Sequence, residues 1–238
     1  MRARAPALLL ALSGLGAPAL AQECRLALVL ALDVSSSVDA AEDRLQREGL
    51  ARAMLAPPVA RAFLAGDPVA LHVFEWSGSR AQASLLPGGW AVLRDEGDLR
   101  RAAEAVGGSV RSRSDLSTAL GAALGHAAEA LAAGPECRAR TVDVSGDGIG
   151  NEGIEPRLAY RRGGFEGVTV NALVIGGERT DSQLVAWFAS EVLHGPGAFW
   201  LHVRDYGGYQ AAMERKLLRE LALPAVGKAA RPAPGGGQ

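Results

Sequence analysis

Apolar positions along the chain fall into runs of two alternating kinds. Leu26 to Leu32 is apolar at seven successive positions without alternating, which predicts a strand buried on both faces. Asp39 to Leu55 carries apolar residues at helical spacing, with Leu45, Leu50 and Met54 on the apolar face and Pro57-Pro58 as its stop. Pro68 to Trp76 predicts a second strand and Gln82 to Leu86 a shorter edge strand, followed by a turn at Gly88-Gly89. Helices are predicted over Asp98 to Val106, closed by Gly107-Gly108, and over Leu116 to Ala133, closed by Gly134-Pro135.

The alternation continues to the end of the chain. Arg140 to Ser145 and Val168 to Ile175, the latter ending in Gly176-Gly177, predict strands separated by a short helix over Glu155 to Arg161. Thr180 to Val192 predicts a helix capped by Thr180 or Asp181, Phe199 to Val203 a last strand and Tyr209 to Leu221 a last helix. Strands alternating with helices imply an α/β fold: a Rossmann-like, doubly wound, mostly parallel sheet with helices on both faces.

The two ends read differently. Met1-Arg2-Ala3-Arg4 precedes the apolar run Ala7 to Leu12, and Ala19-Leu20-Ala21 offers a small-x-small site, so residues 1–21 read as a signal peptide cut before Gln22. Ser13, Gly14, Gly16 and Pro18 break the run short of the roughly 20 apolar residues of a membrane span. The expectation is an exported protein, periplasmic or secreted, without stable membrane insertion. From Pro224 the chain is rich in Pro, Gly and Ala, and 224–238 reads as a disordered tail. One domain over 22–223 remains, and no solenoid repeat is visible.

Composition narrows the partners. The whole chain carries 25 basic and 26 acidic side chains. Losing Arg2 and Arg4 with the leader leaves 23 basic against 26 acidic, a formal charge of −3. That balance gives no footprint for nucleic acid or an anionic membrane. The chain has 2 cysteines, Cys24 and Cys137, each just before a predicted strand. In an exported protein, and with those strands as parallel neighbours, the pair predicts a disulfide.

Three polar clusters follow apolar runs. They are Asp33-Val34-Ser35-Ser36-Ser37, the segment Ser112 to Thr118, and Asp143-Val144-Ser145-Gly146-Asp147-Gly148. In an open parallel sheet such positions share the carboxyl edge, where ligands bind. Hydroxyl and carboxylate oxygens suit a hard divalent ion, Mg²⁺ or Mn²⁺. Asp143, inside a strand, reads instead as a buried polar residue hydrogen-bonded by backbone.

Asp33-x-Ser35-x-Ser37, a distant Ser/Thr and the distant Asp147-Gly148 resemble the metal-ion-dependent adhesion site (MIDAS) of von Willebrand factor A-type domains, over roughly Cys24 to Leu221. The chain also resembles a bacterial exported branch of unassigned function, with a cysteine before the first strand and a Ser-Gly-Asp-Gly metal loop. The resemblance implies that Ser35 and Ser37 bind the metal directly while Asp33 and Asp147 act largely through water. The middle ligand falls to Ser114 by its place before Ala119-Leu120, with Asp115, Ser117 and Thr118 as competitors. It further implies binding of a protein partner whose acidic side chain completes the metal's coordination; loops near Trp76-Ser77-Gly78 and Gly148 to Glu155 are candidates for the surrounding rim.

Enzymatic alternatives fit less well. A Mg²⁺-dependent phosphatase-like hydrolase using Asp33 as nucleophile wants a second Asp two residues on, where Ser35 stands. Gly-x-Ser-x-Gly is absent around Ser145, and no Walker or Gly-x-Gly-x-x-Gly loop follows the first strand. His72, His126, His194 and His202 lack metal-ligand spacing and read as structural.

Overall fold

The computed structural model describes residues 24–113, 116–176 and 181–222. The leader, the tail, Ser114, Asp115 and the cap Thr180 therefore lie outside the described residues. Strands β1 (Cys24–Asp33), β2 (Val69–Trp76), β5 (Cys137–Gly146), β6 (Val168–Ile175) and β7 (Trp200–Val203) pair in parallel in the order β2-β1-β5-β6-β7. Two short strands, β3 (Gln82–Ser84) and β4 (Trp90–Leu93), pair antiparallel with the two halves of β2's outer edge. This is the mostly parallel, helix-covered sheet that the alternation predicts.

β1 shows how one apolar run serves two cores. Leu26, Leu28, Leu30 and Leu32 face one side, with helices α1 (Ala40–Leu55), α2 (Pro57–Phe63), α3 (Glu96–Gly107) and α7 (Tyr209–Ala222). Ala27, Val29 and Ala31 face the other, with α4 (Leu120–Ala133), α5 (Pro156–Arg162) and α6 (Asp181–Trp187), which runs on as a π turn over Phe188–Val192. Burial on both faces removes the need for polar alternation along the strand.

Several elements depart from their predicted form. Leu45 is 41% exposed, while Gln46 and Arg47 of α1 are buried, so the helix turns a polar face inward. Pro57-Pro58 does stop α1, but Pro57 also starts α2, where a missing N–H costs nothing at the first helical position. α4 begins at Leu120 rather than Leu116 because the preceding backbone is engaged elsewhere: Ser36 N–H donates to Leu116 O at 2.9 Å and Ala119 N–H to Ser77 O at 2.8 Å. β4 is an added strand where the sequence suggested only a turn.

In register, Cys24 lies opposite Cys137, and the two are joined as a disulfide with Cα atoms 4.7 Å apart. Asp143 is buried, as expected, but its partner is a side chain and not backbone. Lys216 Nζ of α7 lies 2.6 Å from Asp143 Oδ1 and 2.8 Å from Glu220 Oε1, and Asn171 Nδ2 donates to the same Glu220 oxygen at 2.8 Å. Burial first, then Glu220, pushes the Asp143 carboxyl above its usual range, with Lys216 opposing. Three charged groups thus seat α7 on the sheet.

Candidate metal centre

β1 is flanked by β2 and β5, so the chain leaves it in opposite directions and a crevice opens beyond its carboxyl end. Asp33 closes β1 there, fully buried. Its Oδ1 accepts the Ser35 N–H at 2.8 Å, a short Asx-type turn that reverses the chain. Beyond the turn, Asp39 caps α1 through the N–H groups of Ala41 and Glu42 at 2.7 and 2.9 Å, and Glu42 Oε2 returns an acceptor to Asp39 N–H at 2.8 Å.

The side chains of this loop converge on the third cluster. Ser35 Oγ lies 3.1 Å from Ser37 Oγ, and Ser37 Oγ donates to Asp147 Oδ1 at 2.6 Å. Asp33 Oδ2 is buried without a hydrogen-bond partner. A Cβ at Gly146 would sit 3.3 Å from that oxygen and 3.2 Å from the Phe188 ring, so glycine lets β5 approach Asp33 closely. Four of the five predicted ligands, Asp33, Ser35, Ser37 and Asp147, therefore meet; Ser114 lies outside the described residues. Of its competitors, Asp115 is also outside, Ser117 is exposed, and Thr118 is buried.

The electrostatics are those of a site short of positive charge. Burial and then the neighbouring Asp147 push the Asp33 carboxyl up to about 7, against the opposing hydrogen bonds from Ser35. Burial raises Asp147 as well, offset in part by Ser37, Tyr206 and the more distant Arg111. A divalent ion would favour both ionised forms and supply the partner that Asp33 Oδ2 lacks. Two carboxylates and two hydroxyls, with no imidazole or thiolate among them, are the donors of a hard ion. The residues present fit such an ion.

Supporting residues were not visible in the sequence. The Arg111 guanidinium donates to the carbonyls of Val34, Ser35 and Val38 at 2.5, 2.7 and 2.7 Å, holding the first loop from outside. Gln46 Nε2 donates to Asp33 O at 2.8 Å. Glu75 accepts from Arg47 at 2.5 Å and from Ser112 N–H at 2.9 Å, which fixes the start of the second loop. Thr118 N–H donates to Asn151 Oδ1 and its carbonyl accepts the Asn151 N–H, both at 2.9 Å, stapling the second loop to the third. Trp76, Ser77 and Gly78 are themselves buried, and the exposed part of that loop is Arg80, with Ser79 N–H donating to Glu152 at 2.8 Å; residues 149–155 form the neighbouring surface, where Ile149 is 37% exposed.

A family model described as "Protein of unknown function (DUF1194)" matches residues 23–225. No curated protein matches the sequence. Among solved structures, the von Willebrand factor type A protein from Catenulispora acidiphila is 17% identical with a TM-score of 0.59, covering 84% of this chain and 43% of that one. Proximal thread matrix protein 1 from the mussel byssus, in a structure with a zinc-occupied MIDAS motif, is 18% identical with a TM-score of 0.58, covering 84% and 48%. The ArnB paralog VWA2 from Sulfolobus acidocaldarius is 14% identical with a TM-score of 0.51, covering 82% and 45%. The chain thus spans under half the length of each of these structures, and the shared fold is that of von Willebrand factor A domains.

Proposed function

Because the chain belongs to the DUF1194 family and has a von Willebrand A-type fold, we propose that it is an exported protein-binding module that works through a divalent cation and has no catalytic role. Asp33, Ser35, Ser37, Ser114 and Asp147 hold the ion, Mg²⁺ or Mn²⁺. The position left open accepts a carboxylate from the partner, so that ion and acid pair in a partly desolvated contact. Residues 149–155 supply the rim that selects among partners.

The observation that carries this reading is the hydrogen-bonded chain of Ser35, Ser37 and Asp147 beside Asp33, whose Oδ2 is buried and unpartnered. A zinc-occupied MIDAS in a structural neighbour supports the same class of site. The joined cysteines support export, and among the described residues no helix is long and apolar enough to cross a membrane. Nothing at Asp33 favours phosphoryl transfer: its Oδ1 is tied to Ser35 N–H, and position 35 offers a hydroxyl where an acid/base carboxylate would be needed.

The test is capture of extracellular proteins from the source organism by immobilised protein in Mg²⁺ and in EDTA, with Asp33→Ala alongside. Capture that needs both the cation and Asp33, and that is blocked by free acidic peptides, is the expected result. Equal capture in EDTA would end the metal-mediated reading.

A further inference from the structure

On the α4 face of the sheet, away from the cation loops, two imidazoles pack with two larger rings. His72 of β2 and His126 of α4 have centroids 6.1 Å apart; Phe74 lies 4.6 Å from His126 and Trp90 lies 5.3 Å from His72. A Cβ at Gly134 would come within 2.5 Å of the Trp90 indole, so glycine there leaves room for that ring. The cluster combines neighbouring faces of β2, β4 and α4, and the metal loops use none of it.

The tautomer of His72 is fixed by its neighbour. His72 Nδ1 lies 2.5 Å from the Gly89 carbonyl, which can only accept, so Nδ1 carries the proton and Nε2 presents a lone pair. That Nε2 is buried without a hydrogen-bond partner, and so is Nε2 of His126. Burial holds both imidazoles below their ordinary range; at His72 the Gly89 hydrogen bond opposes this and His126 adds to it, while Glu129 opposes it at His126. An imidazole kept neutral, with its other N–H on a backbone carbonyl, is in the state that ligates metals.

We infer that His72 and His126 form a second cation site, which takes monovalent copper between their two Nε2 atoms. With each nitrogen about 2.0 Å from the ion, the ring centroids stand about 6 Å apart in a near-linear arrangement and about 5 Å apart in a tetrahedral one. The observed 6.1 Å is within the span that one shared ion would bridge. Two uncharged donors walled by Phe74 and Trp90 suit an ion of low charge and low coordination number. A divalent ion would need further donors that the surrounding rings do not offer. His126 and Trp90 are only partly buried, which gives the ion a way in. The described cysteines are all paired, so no described thiol competes for it. The site is independent of the divalent-cation reading.

The test is an anaerobic titration of the purified protein, saturated with Mg²⁺, with Cu(I) delivered in competition with a colorimetric chelator while tryptophan emission is followed. One equivalent should be drawn from the chelator, with a fluorescence loss that disappears in Trp90→Phe. His126→Ala and His72→Phe should each weaken binding at least tenfold, Zn²⁺ should bind at least a hundredfold more weakly, and Asp33→Ala should match wild type. Failure of wild type to draw copper, or undiminished binding by His126→Ala, overturns the assignment. His126 is partly exposed, so its variant decides the matter even if His72→Phe does not fold.

Discussion

Ser37 Oγ donates to Asp147 Oδ1 at 2.6 Å, joining two loops whose residues stand 110 positions apart in the chain. The bond sets the mouth of the proposed metal centre, because the same hydroxyl lies 3.1 Å from Ser35 Oγ. Ser37→Ala removes one proposed ligand and the link between the loops while leaving the buried Asp33 turn in place. Cation affinity, measured by calorimetry, should fall at least tenfold, which corresponds to about 1.4 kcal/mol. The unfolding midpoint in EDTA should barely move, since Ser37 is exposed.

Stability should depend on pH in a way that the cation offsets. In the metal-free fold the Asp33 carboxyl is pushed from 3.8 up to about 7, so between those values the folded state binds more protons than the unfolded state. The metal-free protein should therefore lose stability as pH rises through that window. A cation that binds ionised Asp33 offsets the loss. Melting with Mg²⁺ and with EDTA from pH 5 to 8 should give curves that nearly coincide at pH 5 and separate up to about pH 7.5.

Arg111 offers a test of loop positioning that leaves every proposed ligand side chain in place. Its guanidinium holds three carbonyls of the first loop, at Val34, Ser35 and Val38. Arg111→Ala should cost about 1–3 kcal/mol of stability, the range for buried acceptors left unpaired. It should also weaken cation binding about tenfold. Arg111→Lys should recover little of either, because one ammonium cannot reproduce the planar fork.

The parallel strands and the first and third polar clusters were legible because each is local. A seven-residue apolar run declares β1, and Asp-x-Ser-x-Ser declares the turn after it. What was not legible depends on partners distant in sequence. Gln46 and Arg47 face inward on α1 because Asp33 O and Glu75 await them, while Leu45 faces solvent, so hydropathy spacing places Leu50 and Met54 correctly but misassigns Leu45. The start of α4 was misplaced because backbone groups of Ser36 and Ser77 hold residues 116–119 out of the helix. Arg111, Thr118 and Asn151 carry no motif; only the fold brings them to the loops they fasten.

Lys216 shows the same limit in the core. It sits fully buried between Asp143 and Glu220, and no periodicity in α7 announces it. Lys216→Met leaves two acids with no cation between them and should destabilise the fold by about 3–5 kcal/mol. Asp143 is already raised, and without Lys216 it should rise further. The loss should thus be larger at pH 8 than at pH 5, where Asp143 can take up a proton, as urea unfolding at the two pH values would reveal.

Thermal unfolding of wild type and Asp33→Ala side by side, in EDTA and in Mg²⁺ or Mn²⁺, tests the metal centre most directly. A cation present at a hundred times its dissociation constant stabilises a folded-state site by about 2.7 kcal/mol. Wild type should melt several degrees higher in cation than in EDTA. Asp33→Ala, which loses both a buried carboxylate and the acceptor of the Ser35 N–H, should show no shift between EDTA and cation, whatever its own midpoint. An unmoved wild-type midpoint, or the same shift in both proteins, would contradict a cation site built on Asp33.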